Sequence, residues 1–354
     1  MTFVYVLICI LLLAILILVH EFGHFFTAKL CNVKVEEFSL GMGPAIWKKQ
    51  KGETLYALRC IPFGGYCALA GENDESDDPR AFLNQPRWKK LLILSAGIIM
   101  NLLLGFLILA GITLPMKVVE TPYIADFAPG VTYNNEEGLQ AGDRFWKIDG
   151  HRIYFYSDIS FFLGIDDDIY DLVVLRDGEK VELKQIQLKY QVYEGDERPS
   201  HGLRMGFETE RATFGKKLGY AWDATKSYGR IVWMGLKMLV KGQVGLKDMG
   251  GPVAIVDMAV ESGKQSESFG LAMINILDLF ALVAINLAIM NALPIPALDG
   301  GRIFLLLVTA PIEWITGKKL NPKYEAYINA VGLILLLGLL AVVMFNDIAR
   351  IVTR

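Results

Sequence analysis

The chain has 354 residues, of which 53 % are hydrophobic and only 21 % charged, and its mean hydropathy is +0.38. A net charge of −3 on so apolar a chain excludes intrinsic disorder, and an isoelectric point near 5.9 offers no basic field for a nucleic-acid partner. The four cysteines, Cys9, Cys31, Cys60 and Cys67, form neither a secreted disulfide framework nor a zinc ribbon, and the composition predicts a multi-span membrane protein with a soluble insert.

Residues 3–19 are seventeen consecutive apolar residues, enough for about 25 Å of bilayer at a helical rise of about 1.5 Å per residue. Phe22, Phe25, Phe26 and Ala28 extend that character. No basic n-region and no small-residue cleavage site accompany it, so the segment reads as a span rather than a cleaved signal. Residues 91–114 are a second span, interrupted by Ser95 and Asn101. Residues 170–175 and 181–188 flank Arg176-Asp177-Gly178, which predicts a β-hairpin inside a small strand-rich insert. Residues 133–140 are expected to form a loop entering a short helix. Residues 213–241 place Trp222, Ile231, Val232, Trp233, Leu236 and Leu239 among lysines, the pattern of an amphipathic helix on the outer membrane surface. A third span, residues 269–293, carries Asn275, Asp278, Asn286 and Asn291, polar groups that are costly at membrane depth unless they face protein, water or a metal. Residues 302–315 are too short to cross alone and contain Pro311, so a re-entrant or interfacial helix is expected. Residues 327–345 are the fourth span.

The expected fold is therefore a polytopic α-helical membrane protein of about four spans, with a membrane-associated β element and an inserted, small β-rich domain. The expected division is a membrane part over 1–118, the insert over 119–208, an amphipathic linker over 209–268 and a second membrane part over 269–354. Residues 29–90 hold ten Lys and Arg, and Arg302, Lys318, Lys319 and Lys323 follow the third span. By the positive-inside rule both connections are cytoplasmic, which puts the insert and both termini outside.

The chemistry is concentrated in His20-Glu21-Phe22-Gly23-His24. Histidines at i and i+4 share one helical face, and both imidazoles can reach one Zn²⁺ at about 2.0–2.1 Å. Glu21 is rotated away from that face, so it misses the metal but can hold and deprotonate a water. With four histidines in the chain, chance predicts on the order of 0.002 such patterns. A catalytic zinc needs a third protein ligand and an open position. His151 and His201 lie in the insert, so a carboxylate is required. The third span ends in NALPIPALDGGR, where Pro294 and Pro296 break the helix and Asp299 follows. Extended backbone at that depth survives only when covered by protein or a water-filled cavity. Asp299 is the favoured third ligand, with Asp278 as its mid-span rival.

HEFGH on the first span and NALPIPALDGG after the third resemble the site-2 protease family of intramembrane zinc metalloproteases (peptidase M50), most of all its bacterial branch related to the regulator of sigma-E protease. FSLGMGP at 38–44, IPFGGY at 61–66 and MGGPVAIV at 249–256 resemble further stretches of that family. Residues 138–150, GLQAGDRFWKIDG, resemble the GL-x-x-GD core of PDZ domains, which capture extended peptides by strand addition. The resemblance implies one catalytic Zn²⁺ held by His20, His24 and Asp299, with Glu21 as the base. It implies a β-hairpin-like sheet beside the site, and a bacterial plasma-membrane enzyme with its active site near the cytoplasmic side. Its substrates would be single-pass transmembrane proteins, among them trimmed anti-sigma factors and remnant signal peptides, cleaved within the bilayer in regulated intramembrane proteolysis. Asn286 and Asn291 match asparagines that handle substrate in relatives. Gly41, Gly43, Gly64 and Gly65 are candidates to receive an unwound substrate as an added strand, and Pro294 and Pro296 to keep the site open. The PDZ-like domain would bind a peptide ligand or exclude bulky ectodomains. The alternative is a non-catalytic membrane PDZ scaffold with a structural metal, which an intact Glu21 disfavours. A transporter is disfavoured by the lack of an inverted repeat.

Overall fold

The structure is a computed structural model that describes residues 2–72, 76–135, 137–164, 168–245, 250–316 and 322–353. Met249, Lys318 and Lys319, named above, lie outside them. In chain order the elements begin with α1 (Thr2–Leu30), β1 (Val35–Lys51), β2 (Thr54–Leu69) and α2 (Arg87–Thr113). Next come β3 (Val118–Phe127), β4 (Arg144–Ile148), β5 (His151–Arg152), α3 (Tyr156–Phe162), β6 (Ile169–Arg176), β7 (Glu179–Gln187) and β8 (Leu203–Arg211). The chain continues through α4 (Phe214–Val240), α5 (Pro252–Gln265), α6 (Phe269–Ala292), α7 (Asp299–Thr316) and α8 (Pro322–Val352). Two compact units result, Thr113–Ser227 and the remainder.

Four helices of the larger unit are long and apolar enough to cross a membrane: Thr2–Leu30, Arg87–Thr113, Phe269–Ala292 and Ala326–Arg350. This matches the expected number and places. Lipid provides little hydrophobic drive for helices to associate, so small residues that let backbones approach closely carry the packing. Tyr5, Cys9 and Leu16 of α1 meet Ala259 and Val260 of α5 and Ala272, Ile276, Phe280 and Ala284 of α6 in one core. A Cβ on Gly263 would lie 3.0 Å from the Tyr5 ring. Helix α5 is not foreseen in the sequence reading. Its N-terminus is capped from α8, where buried Asp347 accepts from the amides of Gly251 and Ala254, each at 3.0 Å. α7 is one continuous helix through Pro311. A second core joins Ala28 and Val33 to Val35, Leu69, Phe82, Ile93 and Leu94, with Ile303 and Leu306 of α7 against it.

β1 and β2 form the expected hairpin, but each strand bends back on itself. Residues 37–40 pair with 65–68 on one side and with 55–58 on the other, while 47–51 pair with 54–58 near the tip. The bends fall at Gly41, Gly43 and Gly64, all with φ between +83° and +88°, a region closed to most L side chains. Three of the glycines proposed as substrate contacts thus have a prior conformational task. Glu53 at the hairpin turn accepts from Arg80 Nη2 at 2.6 and 2.7 Å and from Lys29 Nζ at 2.9 Å.

The smaller unit holds an antiparallel pair, β3-β8, and a four-stranded sheet in the order β5-β4-β6-β7. The predicted hairpin is β6-β7, turning at Asp177 (φ 52°) and Gly178 (φ 86°), as a two-residue primed turn requires. Leu139, Ile148, Tyr170, Leu172, Val174 and Leu188 fill its core. Asp143 of the GLQAGD stretch is fully buried and paired with Arg176, Nε to Oδ1 and Nη2 to Oδ2 both at 2.8 Å. One expectation is corrected. The described residues of 133–140 form the expected loop, but it enters no helix and runs on to β4. The Asn135 side chain accepts from the Glu137 amide and the Leu139 amide closes back on Tyr133, local bonds that compete with helix formation.

Candidate metal centre

The helix α1 carries His20 and His24 on one face, and the kink after α6 brings Asp299 to them. The distances are 3.2 Å from Asp299 Oδ2 to each histidine Nε2 and 3.3 Å between the two Nε2 atoms. Ligands about 2.0–2.1 Å from a tetrahedral ion stand about 3.3–3.4 Å apart, so these three atoms already have the spacing of three corners of such a site. Asp299 Oδ2 is buried and has no hydrogen-bond partner. A buried carboxylate oxygen left without a donor is costly, and a cation at the centre of the triangle would satisfy it. Among the described residues this is the one group of three that could hold a metal ion. Asp278, the rival carboxylate, is absent from it. The Tyr228 hydroxyl of α4 donates to Asp278 at 2.6 Å instead.

Asp299 reaches the histidines because α6 stops at Ala292 and the chain runs irregularly to α7. Every amide of that run is accounted for. Pro294 and Pro296 have no amide hydrogen. The amides of Leu293, Ile295 and Leu298 donate to the carbonyls of Met290, Leu293 and Ile295. Ala297, at φ 73°, donates to the Asn329 side chain of α8 at 3.2 Å. Buried irregular backbone requires such pairing of its amides. Gly300 and Gly301 follow for steric reasons. A Cβ on Gly300 would stand 2.4 Å from the backbone of Ala292, and one on Gly301 2.1 Å from the Ile295 carbonyl. Gly332 of α8 likewise makes room for Pro296.

Glu21 lies one residue from the first histidine and is not part of the ligand triangle. A Cβ on Gly65 of β2 would come within 3.5 Å of its Cγ. The edge of β2 at Gly65 therefore lies beside Glu21. Of the four glycines proposed to receive substrate, Gly65 is the one placed against Glu21 Cγ. Asn286 and Asn291 are half-buried on α6, and among the described residues no hydrogen bond ties either to the triangle. Pro294 is exposed and Pro296 half-buried.

The sequence reading missed the part played by α2. Ile93, Gly97 and Asn101 recur every fourth residue and face the histidine pair. His24 Nδ1 donates to the Ile93 carbonyl at 2.8 Å. Asn101 lies 3.4 Å from His20 Nδ1. A Cβ on Gly97 would stand 2.4 Å from His24 Nε2. A glycine and an asparagine four apart in a largely apolar span are the signal that marks this face.

A family profile described as "Peptidase family M50" matches residues 8–339. The chain is 35 % identical over 356 residues to a Clostridium perfringens protein named "Putative zinc metalloprotease", covering 97 % of this chain and 98 % of that protein. Proteins given the same description in Clostridium acetobutylicum and Fusobacterium nucleatum are 34 % and 32 % identical, each with 98 % of both chains covered.

Proposed function

The chain belongs to peptidase family M50, the site-2 protease family, whose members use one zinc ion, and from this we propose that it is an intramembrane zinc metalloendopeptidase. His20, His24 and Asp299 hold the ion, and Glu21 is the catalytic base. The observation that carries this reading is the triangle of His20, His24 and Asp299 at 3.2–3.3 Å, with Glu21 beside it and outside it. Bound zinc supplies Lewis-acid polarisation of a carbonyl and acidifies water. Glu21 takes the proton from the attacking water and delivers it to the departing amine. β2 offers, at Gly65 beside Glu21, an edge on which an unwound substrate segment adds as a strand. Such pairing satisfies backbone groups that a transmembrane helix loses when it opens.

The proposed substrates are single-pass membrane proteins, including trimmed anti-sigma factors and remnant signal peptides, cleaved in the bacterial plasma membrane. Asn286, Asn291, Pro294 and Pro296 are proposed to line the approach to the site. The lysine and arginine distribution supports an extracytoplasmic insert and termini. We read the insert as PDZ-like. A cavity of about 610 Å³ between α3 and the start of β8, lined by Tyr156, Ile159, Leu163, His201, Leu203 and Met205, supports an extended peptide ligand there.

The test compares wild type with Glu21→Gln on a reconstituted transmembrane substrate at equal zinc content. Both proteins should bind about one zinc, and only wild type should cut. Equal cleavage by both would remove Glu21 from the mechanism. No cleavage of any tested membrane substrate by zinc-loaded wild type would return the scaffold reading.

A further inference from the structure

We infer that Asn101 is a positioning residue for the metal centre: its side-chain carbonyl accepts the Nδ1 proton of His20 and so turns the lone pair of Nε2 toward the ion. The inference rests on the metal-site reading above and adds to it the group that sets one ligand's tautomer.

Asn101 is 1 % exposed in the middle of α2. Its Nδ2 lies 3.4 Å from His20 Nδ1, while its Oδ1 is buried with no partner. In that orientation the amide donates to Nδ1, and the neutral ring carries its proton on Nε2. That proton would point at Asp299 Oδ2 and His24 Nε2, the atoms a metal must share with it. The two ends of a carboxamide are close in size, and a half-turn exchanges them. After the turn Oδ1 accepts from Nδ1–H, the orphaned oxygen gains its partner, and Nε2 is free to ligate. The rotation frees Nε2 and partners Oδ1, and it moves Nδ2 to the buried place that Oδ1 held.

The geometry of the second histidine agrees. His24 Nδ1 faces the Ile93 carbonyl at 2.8 Å, which can only accept, so its Nε2 is the free nitrogen. α2 thus orients both rings at positions two turns apart, one through backbone and one through a side chain. Metal-bound histidines are commonly held this way, and removing the outer partner typically weakens metal binding about 10–100-fold. Only the His20 partner can be removed by substitution.

The experiment measures zinc affinity by chelator competition on the full-length protein in detergent, for wild type, Asn101→Leu and Asn101→Asp, alongside thermal unfolding of the metal-free proteins. Leucine keeps the volume and removes the acceptor; aspartate keeps the acceptor. The inference expects Asn101→Leu to bind zinc about 10–100-fold more weakly, Asn101→Asp to match or exceed wild type, and metal-free Asn101→Leu to unfold no earlier than wild type. Unchanged affinity in Asn101→Leu, or equal loss in both variants, overturns it. A loss of zinc that merely tracks early unfolding of the metal-free protein also overturns it, since that marks a packing role. If Asn101→Leu yields no folded protein, Asn101→Asp decides alone: wild-type or tighter binding supports the inference, and a tenfold loss refutes it. If wild type itself takes up no zinc, the metal-site reading falls and the inference with it.

Discussion

Replacing Gly97 with alanine probes how closely α2 is fitted to the two histidines. The added methyl would stand 2.4 Å from His24 Nε2 and 2.7 Å from His20 Cε1, where ordinary contact begins at 3.4 Å. One side must therefore yield by about 1 Å, whereas metal–ligand distances tolerate about 0.2 Å. Retreat of α2 is resisted because Gly23 already brings α1 against the Ala96 backbone, and it would break the His24–Ile93 bond. Overpacking of this kind typically costs about 1–3 kcal/mol, and a misplacement of about 1 Å at a catalytic group about 100-fold in rate. Gly97→Ala is expected to lose at least tenfold in zinc affinity and about 100-fold in cleavage of a reconstituted substrate. Gly111→Ala is the control on the same helix. Its methyl meets nothing within 4 Å, and alanine is the better helix former by about 1 kcal/mol, so it should be neutral or stabilising. Zinc affinity and cleavage in Gly97→Ala indistinguishable from those of Gly111→Ala would refute the reasoning.

Two further outcomes are expected. Asp347→Ala uncaps α5 and leaves the Gly251 and Ala254 amides without their acceptor, so the protein in detergent should lose about 1–3 kcal/mol of stability; an unchanged unfolding midpoint would contradict the cap. Arg80 and Lys29 hold the Glu53 carboxyl down to about 2, so its contribution is complete above the ordinary carboxylate range and is lost as the pH falls from about 4.5 toward 2. The pair is partly exposed, which limits the effect to about 1 kcal/mol or less. Hydrogen-exchange protection in the 35–69 hairpin, taken relative to the intrinsic rate at each pH, should fall over that window in wild type, and a Glu53→Gln protein should show constant protection there.

The local features of this chain were legible in its sequence because their causes are local. Seventeen apolar residues in a row make a span whatever surrounds them. Histidines four apart share a helical face by periodicity alone, and two prolines in three residues stop α6 without outside help. Asp-Gly between two alternating runs makes the β6-β7 turn for the same reason. The helix expected near 133–140 failed because side chains at Asn135 and a glycine at 138 favour turns over a short stretch with little to overrule them.

Other features depend on which faces meet, and neither composition nor periodicity encodes that. Asp299 could be preferred over Asp278 from the sequence, but only packing gives the reason: Asp278 is engaged by Tyr228, while Asp299 is carried to the histidines by a bend whose amides are satisfied partly by Asn329 of a different helix. The role of α2 left only a faint trace in the sequence, because Ile93 contributes a carbonyl, Gly97 an absence of side chain and Asn101 a single amide. The four glycines proposed to receive substrate looked alike in sequence, yet Gly41, Gly43 and Gly64 turn the strands and Gly65 comes to rest against Glu21. Small residues permit many close approaches, and the packing of the whole unit selects among them. The sequence therefore determined which groups are available for the chemistry, and the tertiary structure decided which of them meet, because contacts between distant segments are fixed by the shapes of the surfaces that pack and not by the residues nearby in the chain.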